Sequence, residues 1–196
     1  GRIRLQCFTA DWVVYPFSKY FSLLPTNTCS RDQLSDRGQV GDIHYGDVLI
    51  KYGDVLSDAD EIPRLKDISQ IKERSFLKMH DVLIADTAED ETVGKAVQVG
   101  KVSIPLVGGL HTVACRPNYE TAEGFLGYYM NSSQYHEQLY PYITGIKVSS
   151  ISKKSFGETE LCIPAEVEEQ KAIVSALKAM DEEIEALEIE RDKMIQ

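Results

Sequence analysis

Large apolar residues fall at Ile173, Leu177, Met180, Ile184 and Leu187, then at Met194, with steps of 4, 3, 4, 3 and 7. The skipped position, four after Leu187, is Arg191. A seam of period 3.5 is the mark of a helix that pairs with another helix, and it is narrower than the apolar face of a core helix. Ala172, Ala176, Ala179 and Ala186 add helix propensity. Pro164 followed by Glu166, Glu168 and Glu169 suits a helix start and its dipole. The segment 165–196 is therefore read as one coiled-coil helix about 48 Å long, at roughly 1.5 Å per residue. Such a rod needs a partner helix, from a second unit or from self-association. The alternative is a helix folded back on its own domain, and the charge of this segment disfavours burial on every side. Arg191, a charge on the seam, is expected to set register or orientation at some cost in stability.

Charge is unevenly placed. The chain has 196 residues and a net charge of −10, which by itself argues against a nucleic-acid partner. Ten acids and four bases in 165–196 account for −6 of it, leaving −4 on residues 1–164. Within those residues two windows hold no acid. One, 92–119, carries Lys95, Lys101, His111 and Arg116. The other, 138–157, carries Lys147, Lys153 and Lys154 among Tyr140, Tyr142, Thr144, Ser149, Ser150 and Ser152. Charges farther apart than a Debye length of about 8 Å are largely screened, so an acidic protein can keep a locally positive face. Chance segregation in a loop-rich domain is the alternative.

Residues 1–164 read as an α+β, mixed α/β globular domain. Strands are expected at 81–86, 94–100 and 110–115, the last stopping at Arg116-Pro117, and at 46–52. Helices are expected at 121–131 and 134–139, and an extended segment at 158–163. The segments 25–38 and 53–73 read as long loops, where recognition residues often sit. Cys7, Cys29, Cys115 and Cys162 form no Cys-x-x-Cys pair and suit reduced thiols of a cytoplasmic protein. The four histidines are as scattered as the cysteines. No run of 18 apolar residues and no signal-peptide pattern occurs.

No catalytic pattern stands out. Arg116-Pro117-Asn118-Tyr119 lacks the Asp/Asn-Pro-Pro-aromatic string of an amino-methyltransferase, and the glycines follow neither nucleotide-binding spacing. Gly-x-Ser-x-Gly and His-Glu-x-x-His are absent. Asp86, Glu89, Asp90 and Glu91 do not match a calcium loop and read as a solvated turn. No cofactor or metal is implied.

Taken in order, the second half resembles the specificity subunit of type I restriction-modification systems. The resemblance runs through Asp81-Val-Leu-Ile84, the strand around Gly94, Gly109-Leu-His-Thr112 and Gly124-Phe-Leu-Gly-Tyr-Tyr-Met-Asn131. It continues through Thr144-Gly-Ile-Lys147, Ile151 and Phe156 to Leu161-Cys-Ile-Pro-Ala-Glu-Val-Glu-Glu-Gln170, then Asp181-Glu-Glu-Ile-Glu-Ala-Leu187. The join is its most specific part: a strand ending in Ile-Pro, Glu-Gln five residues on, then the heptad helix. Ser30-Arg-Asp-Gln-Leu34 and His44-Tyr-Gly-Asp47 extend the likeness forward.

The resemblance implies a target-recognition domain at 1–164 and a conserved dimerisation helix at 165–196. A whole subunit of the family has two such units in tandem, their helices paired antiparallel as a spacer. Each domain reads half of a bipartite site in double-stranded DNA. Methyltransferase subunits bind the spacer region, restriction subunits join them, and no catalysis resides in the chain. Lys147, two residues after Gly145, sits where the family's basic residue falls. With it the loop residues Tyr142, Thr144, Ser149, Lys153 and Lys154 are expected at DNA, and Arg31, Lys51, Tyr52, Lys95 and His111 are secondary candidates. Two other classes remain open: a coiled-coil adaptor that binds only protein, favoured by the net charge, and an enzyme with an unrecognised site.

Overall fold

The computed structural model describes Leu5 and residues 8–69 and 71–195; the expectation for Cys7 lies outside them. Strand β1 (Trp12–Pro16) is followed by a helical turn, α1 (Phe17–Tyr20), and β2 (Phe21–Leu24). Then come β3 (Leu34–Ser35), β4 (Gly41–Ile43), α2 (Tyr45–Ile50), β5 (Val55–Leu56) and β6 (Arg64–Leu65). Strands β7 (Val82–Ala85), β8 (Thr87–Ala88), β9 (Ala96–Val99), β10 (Leu106–Gly108) and β11 (Thr112–Pro117) fill the middle. Helices α3 (Phe125–Asn131) and α4 (Ser133–His136) precede β12 (Ser149–Ser150), α5 (Lys153–Phe156), β13 (Glu160–Pro164) and α6 (Val167–Ile195).

A five-stranded sheet, β2-β11-β7-β9-β5, forms the centre, antiparallel except for the parallel β9–β5 pair. Its middle strand β7, Val-Leu-Ile-Ala, is buried at every position. An uninterrupted apolar run is what a strand covered on both faces requires. Because side chains alternate across a strand, Val82 and Ile84 join one core with Val113, Cys115, Phe125, Leu126 and Met130. Leu83 and Ala85 join the other with Val97, Ala114, Ile43 and Val48. A second sheet, β10-β4-β6-β3, and two ribbons, β1-β13 and β8-β12, complete the fold.

Two polar side chains fix α3 on this sheet. The Gln98 carbonyl accepts the Leu126 N–H at 3.2 Å, while Asn131 accepts the Ala96 N–H and donates to the Ala96 carbonyl, both at 2.8 Å. Asn131 thus copies the bonding of a neighbouring strand. Gly127 permits the approach, since a Cβ there would lie 1.9 Å from the Asp54 carbonyl oxygen.

The strands expected at 81–86 and 94–100 are present as β7 and β9, and that at 110–115 as β11. This last strand runs on through Arg116 and Pro117, which face Ser22 and Phe21 of β2. The strand expected at 46–52 is helical instead. Val48 and Tyr52, four apart, point into the core and Ile50 points out, a helical period hidden in a continuous apolar string. Asp47 ties the helix to Arg31 at 2.7 Å and to Lys51 at 3.2 Å. The Lys95 ammonium donates to the carbonyls of Leu49 (3.1 Å) and Tyr52 (2.9 Å), closing the helix's C-terminal end. Cys29, Cys115 and Cys162 are free thiols, and burial pushes the Cys115 thiol well above its ordinary range.

Helix α6 has 29 residues. Its first turns belong to the globular body, because Glu169, Gln170 and Val174 are buried there. The boundary expected at residue 164 therefore falls inside a packed unit. The Gln170 carbonyl accepts the Ala122 N–H (3.0 Å) and the Thr121 hydroxyl (3.1 Å), and its amide donates to the Pro164 carbonyl (2.9 Å). On the seam, Ile173 and Leu177 are half-buried against the body. Met180, Ile184 and Leu187 are 55–58% exposed and Met194 75%. Every described residue from Lys178 onward is exposed. The helix is rooted through its first turns and then leaves the body. Among the described residues its last hydrogen bond to the body is the Tyr128 hydroxyl donating to Asp181 at 2.5 Å.

Candidate nucleic-acid interface

The loop 144–150 lies on the surface and is closed on itself. Thr144 and Ser150 exchange backbone hydrogen bonds of 3.0 and 2.8 Å, and the Thr144 hydroxyl donates again to the Ser150 carbonyl. Gly145 takes a left-handed φ of 111°, and a Cβ there would lie 1.9 Å from the Val148 carbonyl oxygen, so only glycine fits. The loop presents Thr144, Ile146, Lys147 and Val148 to solvent. Its far arm, β12, lies antiparallel on β8, with Ser150 opposite Thr87 and Ser149 opposite Ala88. Ile151, bonded to the Asp86 carbonyl at 2.9 Å, is buried and anchors the arm. Next, Ser152 caps α5, which holds Lys153 and Lys154 in solvent.

Strand β8 connects this loop to a second group. His111, at a left-handed φ of 54°, sets Nδ1 3.3 Å from the Thr87 hydroxyl and 3.5 Å from Asp86. Its ring meets Tyr45 edge-on at 5.3 Å, and Tyr45 lies 4.9 Å from the His44 ring. Two histidines that are far apart in sequence thus flank one tyrosine. Tyr45 opens α2, whose Asp47 carries Arg31 and Lys51 as half-exposed side chains. A continuous chain of contacts therefore runs from Lys147 through β8 and His111 to Arg31 and Lys51.

Two expected residues are not on this surface. Tyr52 is 2% exposed and packs in the core, its hydroxyl 3.5 Å from the Glu61 carbonyl. Lys95 is occupied by the end of α2, and burial lowers its pKa. Both are structural residues here, a correction to their expected role at DNA. Tyr142 is half-buried against the core and Ser149 is half-buried on β12, while Thr144, whose hydroxyl donates to the Ser150 carbonyl, and Lys147, Lys153 and Lys154 are exposed. The acid-free window around Arg116 is also not acid-free in space. Arg116 forks onto Asp81 at 2.6 and 2.8 Å. Likewise β8 runs on into Glu89, Asp90 and Glu91, which border the root of the loop.

Residues without a sequence signal lie beneath α2. Asp42 is wholly buried, and desolvation raises its pKa to about 6 although Asn27 donates to it at 2.5 Å. The pKa of His44 is lowered by burial and by Arg31, and among the described residues neither of its ring nitrogens has a hydrogen-bond partner. A cleft of about 590 Å³ includes Asn27, Cys29, Asp32, Lys66, Asp67 and Lys72 in its lining, where two acids face two lysines. Burial there raises the Cys29 thiol, the reverse of what a nucleophile needs. Among the described residues no three metal-binding side chains converge. Nor is any of their helices long and apolar enough to cross a membrane.

The family model for the type I restriction modification DNA specificity domain matches residues 66–193, a span that includes the braced loop and almost all of the rod. The chain belongs to that family. Specificity subunits are the non-catalytic, DNA-recognising component of type I systems. Solved relatives carry the same fold. One is a chain from a study of complex assembly and conformational transition of the type I R-M system, with 19% identity and a TM-score of 0.60 over 92% of this chain and 40% of that one. A type I S subunit from M. genitalium has 14% identity and a TM-score of 0.60, over 93% of this chain and 42% of that one. The HsdS subunit from Thermoanaerobacter tengcongensis has 17% identity and a TM-score of 0.57, over 92% and 40%. The specificity domain described here spans about two fifths of the length of these structures. No curated protein matches it significantly in sequence.

Proposed function

We infer that this specificity domain reads one half of a bipartite site in double-stranded DNA, in the cytoplasm, through the surface from the 144–150 loop to α2. Family membership supports DNA as the ligand, and the braced loop is the observation that carries the choice of surface. Base reading needs donors held rigidly on protruding elements, and phosphate anchoring needs Lys, Arg and hydroxyls. The loop supplies Thr144 and Lys147, α5 supplies Lys153 and Lys154, and the neighbouring turns supply His111, Arg31 and Lys51. Helix α6 beyond Lys178 pairs antiparallel, as a coiled coil, with the helix of a second recognition unit. The paired helices form the spacer that methyltransferase subunits bind, and restriction subunits join through them. The chain supplies address and leaves the chemistry to its partners.

A protein-only assembly adaptor is the second reading, favoured by the net charge of −10 and the exposed seam. Duplex binding by the complex assembled with methyltransferase subunits, titrated across salt, separates the two. A DNA reader loses affinity log-linearly with salt. An adaptor assembles without adding any salt-dependent duplex affinity.

A further inference from the structure

Ile146 has a relative exposure of 104%, the highest among the exposed large apolar residues described. A lone apolar side chain on a surface needs no explanation. This one differs in its mounting. It follows Gly145, whose backbone no other residue can adopt without meeting Val148, and the Thr144–Ser150 bridge closes the loop behind it. The side chain is held away from the body by a rigid support. It also lies between Thr144 and Lys147 in a segment without a carboxylate. A partner for this tip must offer an apolar group surrounded by anions.

Duplex DNA offers that combination in one place. The floor of the major groove carries the thymine C5-methyl, with phosphates along both edges. The two arms of the loop are one bridge apart, roughly 5 Å, so with side chains they fit a major groove about 12 Å wide. The minor groove, about 6 Å wide, does not admit them. We propose that the 144–150 loop enters the major groove and that Ile146 packs on a thymine methyl, making it a specificity-determining residue. The inference rests on the DNA-reading function proposed above. It adds a base identity at one or two positions of the half-site, and it gives Lys147 the neighbouring phosphate or base edge.

Deleting the methyl from the DNA tests this without touching the protein fold. The complex assembled with methyltransferase subunits selects from two randomised duplex pools, one made with thymine and one with deoxyuridine in its place. A preference for thymine at one or two positions is expected in the first pool and not in the second. Ile146→Ala should erase that preference and weaken binding to the selected thymine duplex about 3–10-fold, the scale of one or two buried methyl groups. Its binding to the deoxyuridine version should stay as in the wild type. Equal weakening on both duplexes, or no weakening on either, overturns the assignment. So does failure of Ile146→Ala to assemble, which would seat the side chain on a protein subunit. A wild-type complex without any salt-dependent duplex binding would remove the underlying reading as well, and that result is distinct from the others.

Discussion

The indole N–H of Trp12 donates to Glu169 Oε1 at 3.0 Å, joining the first strand of the body to the root of the last helix across 157 positions of sequence. With Gln170 beside it, Glu169 turns the helix start into part of the core. Neither glutamate nor glutamine is common at 1% exposure, and each is held by hydrogen bonds where it is.

Gln170→Ala should therefore be costly. It removes the partner of the Ala122 N–H and the Pro164 carbonyl and one partner of the Thr121 hydroxyl in a buried site. The expected loss is about 3 kcal/mol, at about 1–3 kcal/mol per orphaned group with incomplete additivity. For a domain of this size that lowers Tm by roughly 6–12 °C. Chemical and thermal denaturation check it, and a loss under about 0.5 kcal/mol would show that the root is not a structural lock.

The seam should behave differently from the root. Ile184→Asp with Leu187→Asp alters exposed side chains on the outer part of α6, so folding and Tm of the globular part should be unchanged. Self-association, or pairing with a second unit, should be abolished in sedimentation experiments. Leu177 is a poorer target, because it is half-buried against the body and its replacement would disturb both properties.

Salt titration addresses the lysines. If Lys147, Lys153 and Lys154 each neutralise a phosphate, replacing one by Ala should flatten the slope of log affinity against log salt by about 0.9, and replacing all three by about 2.7. Lys95→Ala should leave the slope as it is and lower stability, since its ammonium caps α2. An unchanged slope in the triple variant would take this segment out of the interface.

Asp42 sets a pH dependence. Its folded pKa of about 6 lies above the ordinary 3.8, so the folded state holds the proton more tightly than the unfolded state. This group therefore favours folding at low pH, and the advantage disappears as pH rises from about 4 through 6. Asp42→Asn keeps the acceptor for Asn27 and removes the charge. The variant should be more stable than the wild type by about 1–3 kcal/mol at pH 8 and nearly equal to it at pH 4. A constant difference across that range would mean that the carboxyl stays ionised in its pocket.

What could be read from the chain followed the range of the interactions. β7 and β9 announce themselves as short, mostly apolar strings and α6 through its seam of period 3.5, all within a few residues, and the structure has all three. The string Gly46–Tyr52 failed because a short apolar run does not distinguish strand from helix. The arbiter was Lys95, 43 positions beyond Tyr52. Charge segregation located the 144–150 loop and the lysines after it. It misjudged Arg116, which is neutralised by Asp81 from 35 positions earlier. Tyr52, a secondary candidate outside both windows, looks like any surface aromatic until the core around it is known. Ile146 gave one local cue, an isoleucine next to glycine in a polar stretch, and its exposure emerges only from the Thr144–Ser150 bridge.

Trp12 and Pro164 are register partners at the end of the β1–β13 ribbon. The polypeptide thus comes into the body and goes out of it at the same spot, beside the root of α6. A domain wired this way is a plug with both its leads at one socket. The root it must match is local: the ribbon end, the Glu169–Gln170 bonds, the buried Val174 and the Tyr128–Asp181 bond. Changes in the 144–150 loop need not be transmitted to α6.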